Sequence, residues 1–387
     1  MAAPAAAGLW FSVCTAVALS PKTRHIFETG SGIEGIKAIG TSPSPPRQGG
    51  SMAKVFLHSV SLEEPRSFEW QEDAYKLFTE SARRDPFGVH SLADDPDSAD
   101  IVVFAEVGSQ GLYAERVRHH PYVKRFREKC FIFDSGDYAL PFLPGLYASL
   151  QKKCNDPSRT RTGYWTRIDE NPYVDFRPPQ DAYPYLANFI GSMATHPVRD
   201  ELRKLPGDRF LIEDTSSFAH RITFAGHADE RHPFWSHYAD GLASAPFALC
   251  PRGIGTGSVR LFEAMKMGRV PVILSDDWIY PVRVDWQACS ITVPEADVGR
   301  LPEILDRHRD RAAEMALRAR QEWEKYYDPS VRFHWLVEDC LALRRARRMP
   351  EAIAGRLVWK HLFNYKTCRL YLSSQKLIYR ETGKILP

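Results

Sequence analysis

Arg252, Arg260 and Glu263, set around a loop that holds Gly253, Gly255 and Gly257, are the residues of this chain best suited by type and spacing to chemistry on a diphosphate. A guanidinium matches phosphate oxygens in charge and geometry. Glycines can take positive φ and let the backbone approach a ligand closely. Ser258 follows as a candidate N-cap, and the helix it opens is expected over residues 259–267, with Gly268 as its stop signal. A helix N-terminus offers unpaired N–H groups and the positive end of a dipole to an anion. Arg260 in the first turn opposes that dipole, a misfit that a bound anion would relieve. Arg260 and Glu263 share a helix face. Glu263 leans back toward the loop, where its carboxylate could accept hydrogen bonds from ribose or sugar hydroxyls.

These residues need elements to hold them. The apolar run 247–250 reads as a buried strand that Pro251 stops. A second strand, 270–274, ends in Ser275, Asp276, Asp277 and Trp278. Ligands of open α/β sheets bind beyond the carboxyl ends of their strands, which puts Asp276 at the ligand and Asp277 among the candidate catalytic groups. The glycine spacing fits neither the dinucleotide fingerprint nor the P-loop, so the reading rests on the combination of strand, loop, helix, second strand and acidic tip.

The runs FALCPRG (247–253) and SVRLFEAMKMGRVPVILSDDWIYP (258–281) resemble the C-terminal nucleotide-sugar motif of the exostosin-type glycosyltransferases. Weaker similarity extends from Met52 to about Arg345, through SADIVVFAE (98–106), FIFDSGDYALPF (131–142), FIGSMATHPVRDELRKL (189–205) and ITVPEADVGRLPEIL (291–305). The resemblance implies an α/β, GT-B-like fold, with two Rossmann-type domains whose mainly parallel sheets face a central cleft. It implies transfer of a sugar from a nucleotide-sugar donor (a UDP- or GDP-sugar), with inversion, to a glycan or lipid-linked acceptor. It also puts Arg252, Arg260 and Glu263 at the donor. Two arginines and a helix N-terminus already neutralise a diphosphate, so neither a metal nor a further cofactor is expected. The alternatives are a non-catalytic glycan- or nucleotide-binding module, or a GT-B-fold epimerase or hydrolase.

The catalytic base is sought at the turn after the strand 131–133. Asp134 and Asp137 lie there, and an acidic group at a strand end can orient or deprotonate an acceptor hydroxyl. The competing reading of Asp134 is an Asx-type turn whose carboxylate caps backbone N–H groups. Asp276 and Asp277 are open to the same doubt. His227, His232 and His237 match no common zinc spacing, and only His227 is placed to meet a donor or acceptor. Trp278 could stack on a base or sugar, with core packing as the simpler expectation.

From Met52 onward, strands and helices alternate, which argues for mainly parallel sheets. Strands are expected at 55–60, 100–106, 130–133, 222–224 and 290–293, and one long outer helix from 301 to about 327. This gives an N-terminal Rossmann-like acceptor domain over 52–205, a nucleotide-sugar-binding domain over 206–345 and a basic tail over 346–387. With 387 residues and 44% hydrophobic content, the chain can bury two cores.

The net charge of +3 hides an asymmetry. Residues 341–387 carry eleven Lys or Arg against two Glu, or +9, which leaves −6 elsewhere. That tail, interleaved with Trp359, Phe363, Tyr365, Tyr371 and Tyr379, could lie on an anionic membrane or glycan. A packed helical hairpin is the plainer expectation, and no nucleic-acid motif accompanies the charge. Seven scattered cysteines (14, 130, 154, 250, 289, 340 and 368) form no zinc or disulfide pattern and suit a reducing compartment. Residues 8–19 are too short an apolar run for the ~20 of a membrane span and lack a basic flank. Residues 20–51 are Gly-, Ser- and Pro-rich, which suggests disorder. We expect the natural start at Met52, with 1–51 a non-native extension; a peptide from 1–51 found by mass spectrometry would overturn this. The localisation expected is cytoplasmic, with the tail at a membrane, or the Golgi lumen for a eukaryotic enzyme.

Overall fold

The computed structural model describes residues 52–63, 69–107, 114–137, 139–163, 170–218 and 228–361. Residues 1–51, the strand expected at 222–224, His227, Cys14, Cys368 and the tail aromatics Phe363, Tyr365, Tyr371 and Tyr379 lie outside them.

Among the described residues, eleven strands form two sheets. The first holds β1 (Lys54–His58), β2 (Ser91–Leu92), β3 (Ile101–Glu106), β4 (Cys130–Asp134), β5 (Gly145–Tyr147) and β6 (Thr160–Thr162), in the order β2-β1-β3-β4-β5-β6. The second holds β7 (Ala187–Gly191), β8 (Phe210–Asp214), β9 (Phe247–Pro251), β10 (Val270–Leu274) and β11 (Ile291–Thr292), in the order β11-β10-β9-β7-β8. Every described pairing is parallel. The central strands are near-continuous apolar runs because a parallel sheet is covered on both faces. Along β3, Val103 and Ala105 enter a core shared with the second sheet, while Val102 and Phe104 enter a separate cluster on the other face. The structure is thus α/β with two parallel sheets, as expected.

The helices used below are α1 (Asp73–Arg84), α2 (Pro197–Glu201), α3 (Ala228–Ala243), α4 (Val259–Met267), α5 (Ala312–Tyr326), α6 (Arg332–Ala346) and α7 (Glu351–Leu357). No described helix is long and apolar enough to cross a membrane.

Sheet membership moves the division of the chain. β7 and β8 pair with each other through α2, and β7 also pairs with β9, so the second sheet begins well before the join expected near residue 205. Alternation of strand and helix is the same on both sides of the join, so the sequence carries no mark of it. The last described helices return to the first sheet. The Phe333 N–H at the start of α6 donates to Ser81 Oγ at the end of α1, 2.9 Å away, and α6 packs against α1 and β5. Arg127 Nε donates to the Glu351 carbonyl at 3.1 Å, which fastens α7 beneath β4. Residues 332–361 therefore complete the first half instead of ending the second domain and starting a free tail.

The long helix expected over 301–327 is broken. Leu301–Asp306 ends where His308 Nδ1 meets the Ile304 carbonyl at 2.9 Å, a 3-10 turn at Arg309–Arg311 follows, and α5 starts afresh. Cys130, Cys154, Cys250, Cys289 and Cys340 are buried. Burial pushes the thiols of Cys130, Cys250 and Cys289 up to about 12.

Candidate functional site

The strand-loop-helix segment forms where its pattern places it. α4 spans Val259–Met267 and ends at Gly268 with φ +74°, the left-handed position that favours glycine. Ser258 occupies the N-cap in an extended conformation but its side chain caps nothing, so the first N–H groups of α4 gain no partner from it. The loop glycines serve closeness, not positive φ. A Cβ on Gly255 would lie 2.2 Å from Ser149 Oγ and 3.0 Å from Asp137 Oδ1, and one on Gly257 would lie 3.3 Å from the Trp278 indole nitrogen. A Cβ on Gly253 would lie 3.1 Å from Arg199 Nη2. The loop of the second sheet is thereby pressed against the loops after β4 and β5 of the first.

Beside this loop lies a cavity of about 510 Å³, which Asp137 enters from the first sheet and Gly253, Gly255, Gly257, Ser258, Arg260 and Glu263 line from the second. Its cationic wall is Arg260 and Arg199. Arg260 is 3% exposed. Its Nη2 donates to Asn188 Oδ1 and, at 3.3 Å, to the Asn188 carbonyl, and its guanidinium stands over the rings of Phe189 and Tyr238. Its Nε and Nη1 are buried with no hydrogen-bond partner. Leaving charged donors unsatisfied is costly. Arg199, on α2, is braced by three carbonyls: Nε to Arg252 and Nη1 to Ser192, both at 2.8 Å, and Nη2 to Pro251 at 3.3 Å. Burial, and then the like charge of Arg260, lower its pKa to about 10, so it remains a cation near neutrality. An anion between two crowded guanidiniums would relieve their repulsion and satisfy the free N–H groups at once.

Arg252 does not share this role. It is buried away from the cavity with Nη1 3.7 Å from Glu295 Oε1, and it contributes only its carbonyl, as a brace for Arg199. Arg199 takes the place that the sequence assigned to Arg252. Nothing local distinguishes Arg199 from Arg203 or Lys204 in the same HPVRDELRK run, which are ion-paired on the surface to Asp214 and Glu201. Its signal is the packing of α2 against the β9 carbonyls, which appears only in three dimensions.

Glu263 lines the cavity and accepts a hydrogen bond from the Tyr238 hydroxyl. Burial and then Glu263 push that phenol well above its ordinary range, so it remains a donor. Of the three candidate bases, Asp137 alone lines the cavity. Burial raises its pKa, against the opposing pull of Arg199 and the Gly255 N–H. Asp134 lies beneath, fully buried, with Oδ1 accepting the Gly136 N–H at 2.8 Å: the Asx turn of the competing reading. Asp276 and Asp277 also face away from the cavity. Asp276 Oδ1 accepts the Glu295 N–H at 3.2 Å, and Asp277 Oδ1 accepts the Lys152 N–H at 3.1 Å while Lys152 Nζ bonds the Asp276 carbonyl. They fasten the second sheet to the first. Trp278 is core, packed edge-on against Trp286. His232 and His237 meet Tyr173 and Glu213, outside any metal geometry.

Among the described residues, His58, Glu63 and His120 are close enough to hold an ion. They do not fit one. His120 Nδ1 accepts the Tyr122 N–H at 3.1 Å, so the ring proton sits on Nε2 and is donated to Glu63 Oε1 at 2.7 Å, which blocks the nitrogen a metal would need.

Beneath the cavity floor, Glu106 and Asp134 end adjacent strands. Burial raises Glu106 to about 8 and Asp134 to about 6. A carboxyl whose pKa is raised on folding gives stability that is complete below its unfolded value, near 4.5 for Glu106, and lost as pH climbs through about 8. Glu106→Gln keeps an acceptor for the Val60 N–H, and its amide N–H can donate to the Ser59 Oγ that now donates to Glu106 Oε2. It should flatten the fall of Tm between about pH 5 and 8, where the proton held by the folded state costs about 1.4 kcal/mol per pH unit. Parallel melting curves of variant and parent would refute this.

Residues 156–308 match the Exostosin GT47 domain. The chain is 31% identical over 157 residues to a Caenorhabditis elegans Exostosin-1 homolog, covering 37% of this chain and 40% of that protein. It is 34% identical over 137 residues to an Arabidopsis thaliana protein described as probable glucuronoxylan glucuronosyltransferase IRX7, covering 35% of this chain and 26% of that one. The chain thus spans less than half the length of either relative. Among solved structures it is similar to Anabaena Alr3699/HepE, in complex with UDP-glucose, at 10% identity and a TM-score of 0.38 over 74% of this chain and 98% of that one.

Proposed function

From an exostosin-like domain over residues 156–308, we propose that this chain is a glycosyltransferase that moves a sugar from a nucleotide-sugar donor to a glycan or lipid-linked acceptor. The observation that carries the reading is the pair of unpartnered N–H groups on Arg260, buried in the wall of a cavity between the sheets. The donor diphosphate sits between Arg260 and Arg199 and against the first N–H groups of α4. Both guanidiniums then stabilise the leaving nucleoside diphosphate as charge develops on it. Glu263, held by Tyr238, takes hydroxyls of the ribose or sugar. Asp137 enters from the opposite sheet, where it can accept the proton of an incoming acceptor hydroxyl, and in-line attack from that side inverts the anomeric centre. Its raised pKa suits a general base, since proton transfer is most effective when the base's pKa lies near the working pH.

Melting of the full chain with UDP, GDP, CMP, ADP and TDP, with and without EDTA, tests the donor reading. One nucleoside diphosphate should raise Tm selectively and without regard to EDTA, by the equivalent of roughly 2.7 kcal/mol at 100 times its Kd. If none does, the cavity is not a donor site. Binding without sugar transfer to any acceptor would instead mark a binding module.

A further inference from the structure

We propose that the edge of the first half built from α7 and the segment before β6 docks on a membrane surface rich in anionic phospholipid. The helix α7 buries Glu351, Ala354 and Gly355 against the first half, and Val358 just after it is buried too. The face turned to solvent is apolar: Met349 is 40% exposed, Ile353 54%, Leu357 50% and Trp359 39%. A short outer helix ordinarily carries its polar residues there. The rim is cationic, with Arg344, Arg345, Arg348 and Arg356 all exposed.

A second cavity, of about 480 Å³, opens beside this face and brings Lys153, Arg159, Arg347 and Arg348 together next to Met349 and Leu357. The buried Glu351 answers Arg159 at 2.8 Å, and Glu128 answers Arg347 at 2.8 Å. Arg347 Nη2 nonetheless has no hydrogen-bond partner, and Lys153 and Arg348 face Asp156 as the further acid in the lining. An apolar patch rimmed by cations, beside a pocket able to take a phosphodiester, is the composition of an interfacial membrane contact.

Charge selects this occupant over the chain's own continuation. Residues 362–387 hold five Lys or Arg and one Glu. Laid over the patch they would add cations to a cationic rim, whereas at an anionic surface they add to the attraction. The inference is independent of the donor reading, because this edge is separate from the cavity between the sheets.

The test is co-sedimentation of the full chain with vesicles of phosphatidylcholine alone and of phosphatidylcholine with 30 mol% phosphatidylserine (roughly the anionic content of a cytoplasmic leaflet). Binding is expected to the mixed vesicles, to weaken as salt is raised, and to fall at least about tenfold in both Ile353→Ser/Leu357→Ser and Arg348→Glu/Arg356→Glu. All of these residues are surface groups, and melting of each variant with UDP checks both the fold and the donor cleft. No preference for the anionic vesicles overturns the proposal. So does unchanged binding by both variants, which would assign the contact to residues 362–387 or another face. No Tm shift in the parent protein with any of the five nucleotides would strike the donor reading and leave this one standing.

Discussion

Arg260→Ala should remove the nucleotide-induced rise in Tm while moving the ligand-free Tm little. The two results come from different parts of the same side chain. In the free protein, Nη2 bonds Asn188 and the guanidinium stands over Phe189 and Tyr238, contacts worth keeping. Against them stand two buried N–H groups with no partner and the like charge of Arg199. Those costs largely offset the gains, so truncation should change stability by no more than about 1 kcal/mol. With a diphosphate bound, both free N–H groups acquire charged acceptors worth ~1.5–3 kcal/mol each. Losing them should weaken binding by roughly 10²–10⁴-fold. Arg260→Lys should recover only part, because a point-like ammonium lacks the planar fork that lets Nη2 hold Asn188 while Nε and Nη1 face the ligand. Calorimetric titration with the nucleotide that stabilises the parent decides the matter. If the alanine variant unfolds early yet binds normally, Arg260 is a scaffold residue and the anion site is elsewhere.

Asp137→Asn should do the reverse: leave nucleotide affinity intact and lower kcat by roughly 10²–10⁴-fold, the usual range for a positioned general base. Asparagine keeps an oxygen beside the Gly255 N–H and removes a negative charge from the neighbourhood of the donor phosphates. Affinity for the nucleoside diphosphate should therefore hold or rise. The pH profile gives the sharper test. Burial raises the Asp137 pKa, so the active, ionised form is lost at a higher pH than for an ordinary carboxylate. In the parent, kcat/KM should climb with pH through that raised value and then level off, and the climb should vanish in the variant. A variant that turns over normally, or that loses nucleotide binding along with rate, removes Asp137 as the base.

The motif and the residues at its centre were legible because their signals are local. Strand, proline stop, N-cap position, apolar spacing and the C-terminal glycine all lie within residues 247–274, and each acts on its immediate neighbours. Arg260 and Glu263 follow from helix geometry alone, and both line the cavity. What failed depends on partners distant in sequence. Arg252 and Arg199 carry the same charge, and only the fold shows that Glu295 holds one while the carbonyls of Ser192, Pro251 and Arg252 aim the other. Asp134 and Asp137 sit in one turn, yet one is spent on its own backbone and one is not. Asp276 and Asp277 look like an acidic tip until the Glu295 N–H takes one carboxylate and the Lys152 N–H, from the other half, takes the other. The glycines were expected for their freedom of φ and are required because Ser149 and Asp137 come so close. Which half β7 joins is likewise hidden in the sequence, since strand pairing decides it.

The return of α6 to the first sheet bears on how the protein can be made. Phe78 on α1 and Phe333 on α6 belong to one core, so the first half is finished only when residues 332–346 arrive. Between β6 and α6 a ribosome must add roughly 170 residues, ~10–30 s of synthesis at common rates. During that interval the apolar side of α1 stands uncovered, a surface for a chaperone to hold or for a neighbouring nascent chain to seize. Production yield in a fast-translating host should then be limited by this waiting period before it is limited by the stability of the finished molecule.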